Sequence, residues 1–331
     1  MQLRSIEYLG VLLRSSKHYL SGMEDRIRLK ANRMGGLLRK LAFQSFSQYE
    51  IIRGVWKGVG VPALTYGGDV LCLSATITGE LELLQRKNAR AAVGANRFTA
   101  VEALQGEMGW SSFEAREMAS KLTYLRRLWL MSKELPARQV YEMIRGQGWQ
   151  TNWTRRIRKF GARLHITPTT KGEWANSDGN IIRLVQEWEA HRWREGLADK
   201  STLSIYRQKK AICREQIYDN SYPSALLFRA RAGSLETNKR LAKFRPLTET
   251  CDLCGEGVED VVHVLCDCEA LAEYRMGREE TTVEEWLGFA GEGTEKEVVI
   301  TATKRLLGGW WALKQQIGMR GNDGGRRSSH D

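Results

Sequence analysis

The chain has 331 residues, of which 42% are hydrophobic and 27% are charged. This length is enough for about two domains with their own cores, and no apolar run approaches the roughly 20 residues of a membrane-spanning helix. Lysine and arginine number 51 against 39 acidic residues, so the net charge is +12. The composition excludes an unfolded tail and a membrane-spanning protein, and the positive charge favours a polyanionic partner such as nucleic acid or an acidic membrane surface.

Hydrophobic periodicity predicts a mainly α-helical chain. A short apolar run over residues 6–13 is predicted to be a strand, and the first helix is predicted over residues 21–41. The clearest helix has apolar residues spaced three and four apart, and Pro136 limits its length. Its apolar positions are Ala115, Met118, Leu122, Leu125 and Trp129.

The second half of the chain begins with a polar stretch. Residues 147–180 are rich in Trp, Gly and Thr, which predicts a linker between two helical bodies. Helices resume over residues 181–197 and 203–217. A last amphipathic helix carries the apolar stripe Val299, Leu306, Trp310, Leu313 and Ile317. From Gly318 the chain is rich in Gly, Ser and Arg, which predicts a disordered tail.

Four of the six cysteines lie in one short segment with the spacing of a zinc site. Cys251 and Cys254 are separated by two residues, and His263 and Cys268 follow on a predicted short helix. Zinc takes four tetrahedral sulfur and nitrogen ligands, and a Cys-x2-Cys pair lets one tight turn supply two of them. The spacing predicts a CCHC zinc finger, with zinc as the cofactor and these four side chains as its ligands.

The fourth ligand has an alternative. Cys266 lies three residues after His263, on the same helical face, whereas Cys268 lies five residues after it and requires the helix to end or bend. Spacings of three to five residues are common between the last two ligands, so Cys268 is preferred and Cys266 is the alternate. Metal-free buried thiols and a disulfide are competing interpretations. Because no secretory signal precedes the cysteines, a reducing cytoplasmic or nuclear location is expected.

Two basic clusters are candidate contacts for RNA or DNA. Cations that neutralise phosphates, next to rings that stack on bases, are typical of single-strand binding. One cluster lies beside Trp153 and Phe160 and consists of Arg155, Arg156, Arg158 and Lys159. The other leads into the cysteine segment and consists of Arg229, Arg231, Lys239, Arg240, Lys243 and Arg245. The alternative for each cluster is a solvated helix face without a ligand.

Several segments, in order along the chain, resemble the C-terminal part of the reverse transcriptase of non-LTR (LINE-type) retrotransposons. The end of that family's polymerase palm is similar to Tyr8-Leu9-Gly10 and to Lys30-Ala31 in the following helix. The family's thumb is similar to Gly60-Val61-Pro62-Ala63-Leu64-Thr65-Tyr66-Gly67, Gln85-Arg86, Glu102-Ala103-Leu104 and Glu107-Met108-Gly109-Trp110. The approach to its finger is similar to Leu226-Leu227-Phe228-Arg229-Ala230-Arg231-Ala232-Gly233, and the finger itself to Cys251, Cys254, Glu259, His263 and Cys268.

The resemblance implies a division of the chain into consecutive parts. These are the remnant of the palm-closing strand at 1–20, a thumb-like helical domain at 21–146, a polar linker at 147–180, a helical connector at 181–247, a CCHC zinc finger at 248–275, C-terminal helices at 276–317 and a tail at 318–331. The expected fold is therefore mainly α, with a short N-terminal strand, a helical thumb-like bundle, a helical connector and a small zinc finger.

The resemblance also implies a function. In the family, the carboxylates that hold two catalytic Mg²⁺ ions lie upstream of the Tyr-Leu-Gly strand, and this chain begins a few residues before that strand. We therefore expect a piece of an RNA-directed DNA polymerase that holds template RNA or target DNA and has no catalytic residues of its own. Its expected partners are nucleic acid and the upstream part of a retrotransposon polyprotein, with no membrane.

Two other classes of function compete with this expectation. One is a zinc-stabilised protein–protein interaction module derived from a mobile element, in which the basic surface is incidental. The other is an active polymerase whose palm is supplied by a second polypeptide. Steep salt dependence of nucleic-acid binding would distinguish the expected function from the first competitor.

Overall fold

A computed structural model describes residues 5–15, 20–44, 48–166 and 180–326. Within these ranges the chain is mainly α-helical, with one antiparallel pair of short strands near the N-terminus. This confirms the predicted fold class. None of the described helices is both long enough and apolar enough to span a bilayer.

The N-terminal apolar run forms a hairpin instead of the single strand predicted over residues 6–13. Strand β1 (Ser5–Tyr8) pairs antiparallel with strand β2 (Val11–Arg14). Between them, Leu9 and Gly10 have φ values of 47° and 79°, the left-handed conformation of a two-residue hairpin turn. Apolar periodicity does not reveal this turn, because apolar Leu9 occupies one of its two central positions.

The helices range from single turns to long segments. In chain order the described α-helices are α1 (Ser21–Gln44), α2 (Gln48–Val55), α3 (Val61–Thr65), α4 (Ala75–Val93), α5 (Val101–Met108), α6 (Phe113–Leu130), α7 (Pro136–Gly146), α8 (Asn152–Arg163), α9 (Asn180–Ala198), α10 (Ser204–Lys209), α11 (Tyr222–Arg231), α12 (Asn238–Leu241), α13 (Ala272–Arg275), α14 (Val283–Trp286) and α15 (Gly293–Arg326). Two π-helical turns, Trp56–Gly60 and His263–Asp267, also occur.

The described residues fold into two compact units, each assembled from separate stretches of sequence. The first unit is drawn from Met1–Leu41, Arg53–Asn88 and Trp110–Glu195, and the second from Ala42–Ile52, Ala89–Gly109 and Gly196–Asp331. These units do not coincide with the consecutive parts predicted from the sequence. Residues 21–146, predicted as one thumb-like domain, contribute to both units. Which elements share a core depends on which apolar faces are buried together, and not on their order in the chain.

The core of the first unit is built on α6. Met118 and Leu122 on its apolar face are buried in one cluster with Ile157 and Phe160 of α8 and Val185 of α9. The positions that predicted α6 from their spacing are therefore the positions that it buries. Pro136, which was expected to limit this helix, is the first residue of α7.

Helix α8 lies inside the segment that was predicted to be a polar linker. The Thr151 hydroxyl caps it by accepting a hydrogen bond from the Thr154 amide at 3.1 Å. The apolar periodicity of this helix is weak in the sequence, because its buried apolar positions at Ile157 and Phe160 form only a narrow stripe among basic residues. Residues 167–179 of the predicted linker lie outside the described residues.

The core of the second unit surrounds α15. Leu306 and Trp310 of this helix are fully buried, together with Leu227 of α11 and Trp286 of α14. The cysteine segment contributes Leu265, Leu271 and other side chains to the same cluster. The finger is therefore an integral part of the second unit.

Helix α15 continues past Ile317, where its apolar stripe ends, to Arg326. The sequence predicted a disordered tail from Gly318. Extending a formed helix adds one hydrogen bond for each residue fixed, without a new nucleation cost, so a helix can run on beyond its apolar face. Residues 327–331 of the predicted tail lie outside the described residues.

Candidate metal centre and basic surfaces

A tight turn places the first two candidate ligands. The Cys251 amide donates to the Gly257 carbonyl oxygen (3.1 Å), and the Gly255 amide donates to the Cys251 carbonyl oxygen (2.9 Å). Gly255 and Gly257 have φ values of 73° and 69°, in the left-handed region that favours glycine. These glycines let the chain reverse, so that Cys251 and Cys254 face the same point.

A π-helical turn, His263–Asp267, places the other two candidates. The Cys268 amide donates to the His263 carbonyl oxygen at 2.8 Å, a bond that spans five residues where an α-helix spans four. The wider turn brings Cys268 back to the side of His263. The predicted end or bend of the helix is therefore a π-turn, and the Asp260 carboxylate caps its start by accepting from the His263 amide at 3.0 Å.

The four side chains converge. One ligand atom from each of Cys251, Cys254, His263 and Cys268 lies within 4.8 Å of the other three. The Sγ atoms of Cys251 and Cys268 are 3.8 Å apart, and Sγ of Cys254 lies 3.5 Å from Nε2 of His263. All six cysteines are free thiols. This cluster can hold a metal ion, and the alternate Cys266 is not a member of it.

Two of the six distances between the donor atoms match the edges of a tetrahedral site. With sulfur about 2.3 Å and nitrogen about 2.1 Å from a metal, a regular tetrahedron has sulfur–sulfur edges of about 3.8 Å and sulfur–nitrogen edges of about 3.6 Å. The observed separations of 3.8 Å and 3.5 Å agree with these edges. Three sulfurs and one imidazole nitrogen are also a donor set that structural metal sites use.

Burial of the thiols opposes their ionisation. It raises the pKa of Cys251, and burial together with the adjacent Cys251 raises the pKa of Cys268 to about 12. In the metal-free protein both thiols are therefore protonated at neutral pH. A bound divalent cation supplies the missing positive charge, and a thiol that coordinates such a cation is deprotonated.

Glu259 connects the finger to the rest of the second unit. Its fully buried carboxylate accepts a hydrogen bond from the Asn238 amide at 3.0 Å and forms an ion pair with Lys314 of α15. Lys314 also donates to the Asn238 side-chain oxygen at 2.8 Å. Lys239, next in the chain, pairs with Asp260 at 2.9 Å. The segment between the ligands is thus fixed to α12 and α15.

The basic residues that precede the finger differ in exposure. Lys239, Lys243 and Arg245 are exposed. Arg240 is half-buried and donates to the Gly233 carbonyl oxygen at 2.7 Å, and Arg229 donates to the Gly94 carbonyl oxygen at 3.1 Å. Only the exposed members of this cluster are fully open to a polyanion.

Arg231 does not belong to a binding surface. Its side chain has no exposed area, and it forms ion pairs with Glu107 and Glu215, each at 3.0 Å. The sequence prediction that Arg231 contacts nucleic acid is therefore corrected. A basic residue in a basic run carries no sequence signal of burial, because its acidic partner Glu107 lies 124 residues away in the chain.

The basic cluster of α8 is also divided. Its exposed members are Arg155, Arg158 and Lys159. Arg156 is half-buried, pairs with Glu117 of α6 at 2.9 Å and donates to the Leu73 carbonyl oxygen at 3.0 Å. Arg156 thus attaches α8 to the first unit, and the other three side chains are exposed to a ligand.

The sequence analysis did not identify the exposed ring of Phe244 as a candidate contact. Phe244 lies between Lys243 and Arg245, and its side chain is 75% exposed. The two flanking basic residues could have indicated such a contact, but an isolated phenylalanine is more often buried. The structure therefore adds an aromatic ring to the basic surface that precedes the finger.

No protein-family model, curated protein or solved structure matches the chain. Its function is therefore inferred from its own residues.

Proposed function

We propose that the second unit binds zinc through Cys251, Cys254, His263 and Cys268 and binds single-stranded nucleic acid beside this site. The observation that carries the zinc assignment is the convergence of the four ligand atoms within 4.8 Å. Zinc suits a closed site of three thiolates and one imidazole, and it stabilises small folds that have little core of their own. On this proposal the zinc ion has a structural role.

The nucleic-acid surface is the segment Lys243-Phe244-Arg245. Two exposed cations on either side of an exposed ring can neutralise phosphates while a base stacks on the ring. Stacking accepts any base, so we expect little sequence specificity. Lys239 contributes less because it is paired with Asp260.

The chain is further proposed to derive from the reverse transcriptase of a non-LTR retrotransposon. The support is the ordered series of segments from Tyr8-Leu9-Gly10 to the CCHC spacing. In this role it would hold template RNA or target DNA in the cytoplasm or nucleus, with the upstream part of the polyprotein as its protein partner.

Cobalt substitution tests the metal site. Co²⁺ bound to three thiolates and one imidazole in a tetrahedron absorbs visible light, so titration should give bands that saturate at one ion per chain. Cys268→Ser should remove or shift these bands, and Cys266→Ser should leave them unchanged. Equal effects of the two variants, or no tetrahedral bands in the wild type, would contradict the assignment.

Fluorescence anisotropy with a labelled single strand tests the binding surface. Phe244→Ala should weaken binding about tenfold, because stacking on one ring contributes about 1 to 3 kcal/mol for each base. Phe98→Ala is the matched control, since Phe98 is 70% exposed and also follows an arginine. The wild-type affinity should fall steeply with salt.

A zinc-stabilised protein-interaction module is the second candidate. The observation in its favour is that further apolar side chains near Phe244 in the sequence are exposed, namely Leu247, Val258 and Val262. This function predicts no salt-dependent binding of single strands. Absence of binding at low salt, with the cobalt bands intact, would favour it over nucleic-acid binding.

A further inference from the structure

A cleft of about 570 Å³ in the first unit is lined by three cationic side chains of α8. Arg155 and Lys159 lie one helical turn apart on the same face, and Arg156 adjoins them. Ser21 and Ser74 also belong to the lining. Such a set of donors suits an anion with several oxygen atoms.

The described residues of the lining carry a net positive charge. The single carboxylate among them, Glu24, accepts a hydrogen bond from the Ser74 amide at 2.8 Å, so part of its charge is already engaged. Arg155 donates to the neutral side chain of Asn152 at 2.6 Å. Among the described residues, neither Arg155 nor Lys159 forms an ion pair. Both are therefore available to an incoming anion.

Three helices begin at this cleft. Ser21 is the first residue of α1, Ser74 immediately precedes α4, and Asn152 is the first residue of α8. A helix N-terminus is the positive end of the helix dipole, which adds to the attraction that the cations exert on an anion. The cations and the helix starts thus favour the same sign of charge.

The size and chemistry of the cleft suit a small molecule that carries a phosphate. Its volume is in the range of small-molecule sites, and none of the described residues that line it is aromatic. The described lining residues can therefore hold a nucleotide by its phosphate, and none of them offers a ring on which its base could stack. Leu20 and Leu73 supply the apolar part of the wall.

We propose that this cleft binds the phosphate group of a nucleotide or of a nucleic-acid strand end through Arg155 and Lys159, without selecting the base. The assignment of that phosphate to a strand end rests on the function proposed above. Binding of a free phosphate-bearing molecule does not depend on it.

Isothermal titration of the full, zinc-loaded chain at low salt tests the cleft. Adenosine 5′-monophosphate and uridine 5′-monophosphate should bind with similar affinities, and adenosine, which lacks the phosphate, should not bind. Arg155→Gln and Lys159→Gln should each weaken nucleotide binding about tenfold, as expected for loss of one charge-assisted contact. Arg158→Gln is the matched control and should change affinity less than twofold, because Arg158 is exposed on the same helix but does not line the cleft.

Two outcomes would overturn the proposal: no nucleotide binding by the wild type, or equal losses in Arg155→Gln and Arg158→Gln. A single strand with a 5′-phosphate, compared with the same strand ending in a 5′-hydroxyl, distinguishes the sources. A gain that Arg155→Gln abolishes supports a strand end, whereas nucleotide binding without such a gain supports a free ligand. The Phe244→Ala variant should retain nucleotide binding, so failure of the finger surface and failure of the cleft are separable.

Discussion

At the residue scale, Arg231 has the sequence context of a residue that contacts nucleic acid, but its buried side chain stabilises the fold. It belongs to a basic run in the sequence, yet its guanidinium lies between two carboxylates with no exposed area. It also donates to the Leu287 carbonyl oxygen. Burying an ion pair is costly, but removing one partner costs more because the remaining charge loses its compensation. Arg231 is therefore a residue for folding, whereas Arg245 is exposed and available for binding.

A pair of variants separates these roles. Arg231→Met should lower the free energy of unfolding by about 3 to 5 kcal/mol, because Glu107 remains buried without its partner. Arg245→Met should change the free energy of unfolding by less than about 0.5 kcal/mol. Urea denaturation of the zinc-loaded protein measures both values.

In nucleic-acid binding, the larger effect should come from Arg245→Met, because Arg245 is exposed and Arg231 is buried. Arg245→Met should reduce the salt dependence of single-strand affinity by about 0.7 in log–log slope, corresponding to one phosphate contact. If Arg231→Met unfolded no more easily than Arg245→Met, the buried ion pairs of Arg231 would not stabilise the fold.

At the element scale, the finger depends on two short backbone features that ordinary helix and strand patterns do not describe. One is the turn with left-handed Gly255 and Gly257, and the other is the π-turn from His263 to Cys268. The Cys-x2-Cys spacing predicted the turn, because two ligands so close in sequence need one. The π-turn was not predictable, since the choice between Cys266 and Cys268 depends on one hydrogen bond and on the packing of neighbouring side chains.

The two glycines provide a test of how the turn positions His263. Both have positive φ, so replacement by alanine strains the backbone by about 1 to 2 kcal/mol in each case. A Cβ at Gly257 would also lie 3.3 Å from Nδ1 of His263, whereas a Cβ at Gly255 would meet nothing within 4 Å. Gly257→Ala should therefore weaken metal binding more than Gly255→Ala.

Competition between the protein and a chromophoric chelator for zinc measures this difference. The Gly255→Ala variant is the control for backbone strain alone. Equal zinc affinities of the two variants would show that the contact between residue 257 and the imidazole has no influence on the site.

At the scale of the whole molecule, the finger shares the core of the second unit, while the first unit has a separate core. Cys251 and Cys268 belong to the same buried cluster as Trp286 and Trp310. A structural zinc site, as proposed for these ligands, contributes on the order of 10 kcal/mol to the fold that contains it. Loss of the metal should therefore affect the second unit well beyond the finger.

Hydrogen exchange with and without a strong chelator tests this expectation. Chelation should speed amide exchange in α11 and in the buried part of α15, because both pack in the cluster that contains the ligands. Exchange in α6, whose core residues belong to the other unit, should stay the same and serves as the internal control. Faster exchange confined to residues 251–268 would show that the finger is energetically separate from its unit.

The sequence by itself determined the helical class, the position of α6 and three of the candidate metal ligands, Cys251, Cys254 and His263, whereas the choice of Cys268 over Cys266 came from the structure. Each depends on spacing over a few residues, and local spacing determines which side chains share a helix face or a turn. The tertiary structure alone decided that Arg231 is buried, that residues 152–163 form a packed helix and that the two units interleave along the chain. These features depend on contacts between residues far apart in sequence, and a single sequence does not specify which of its many possible long-range contacts form.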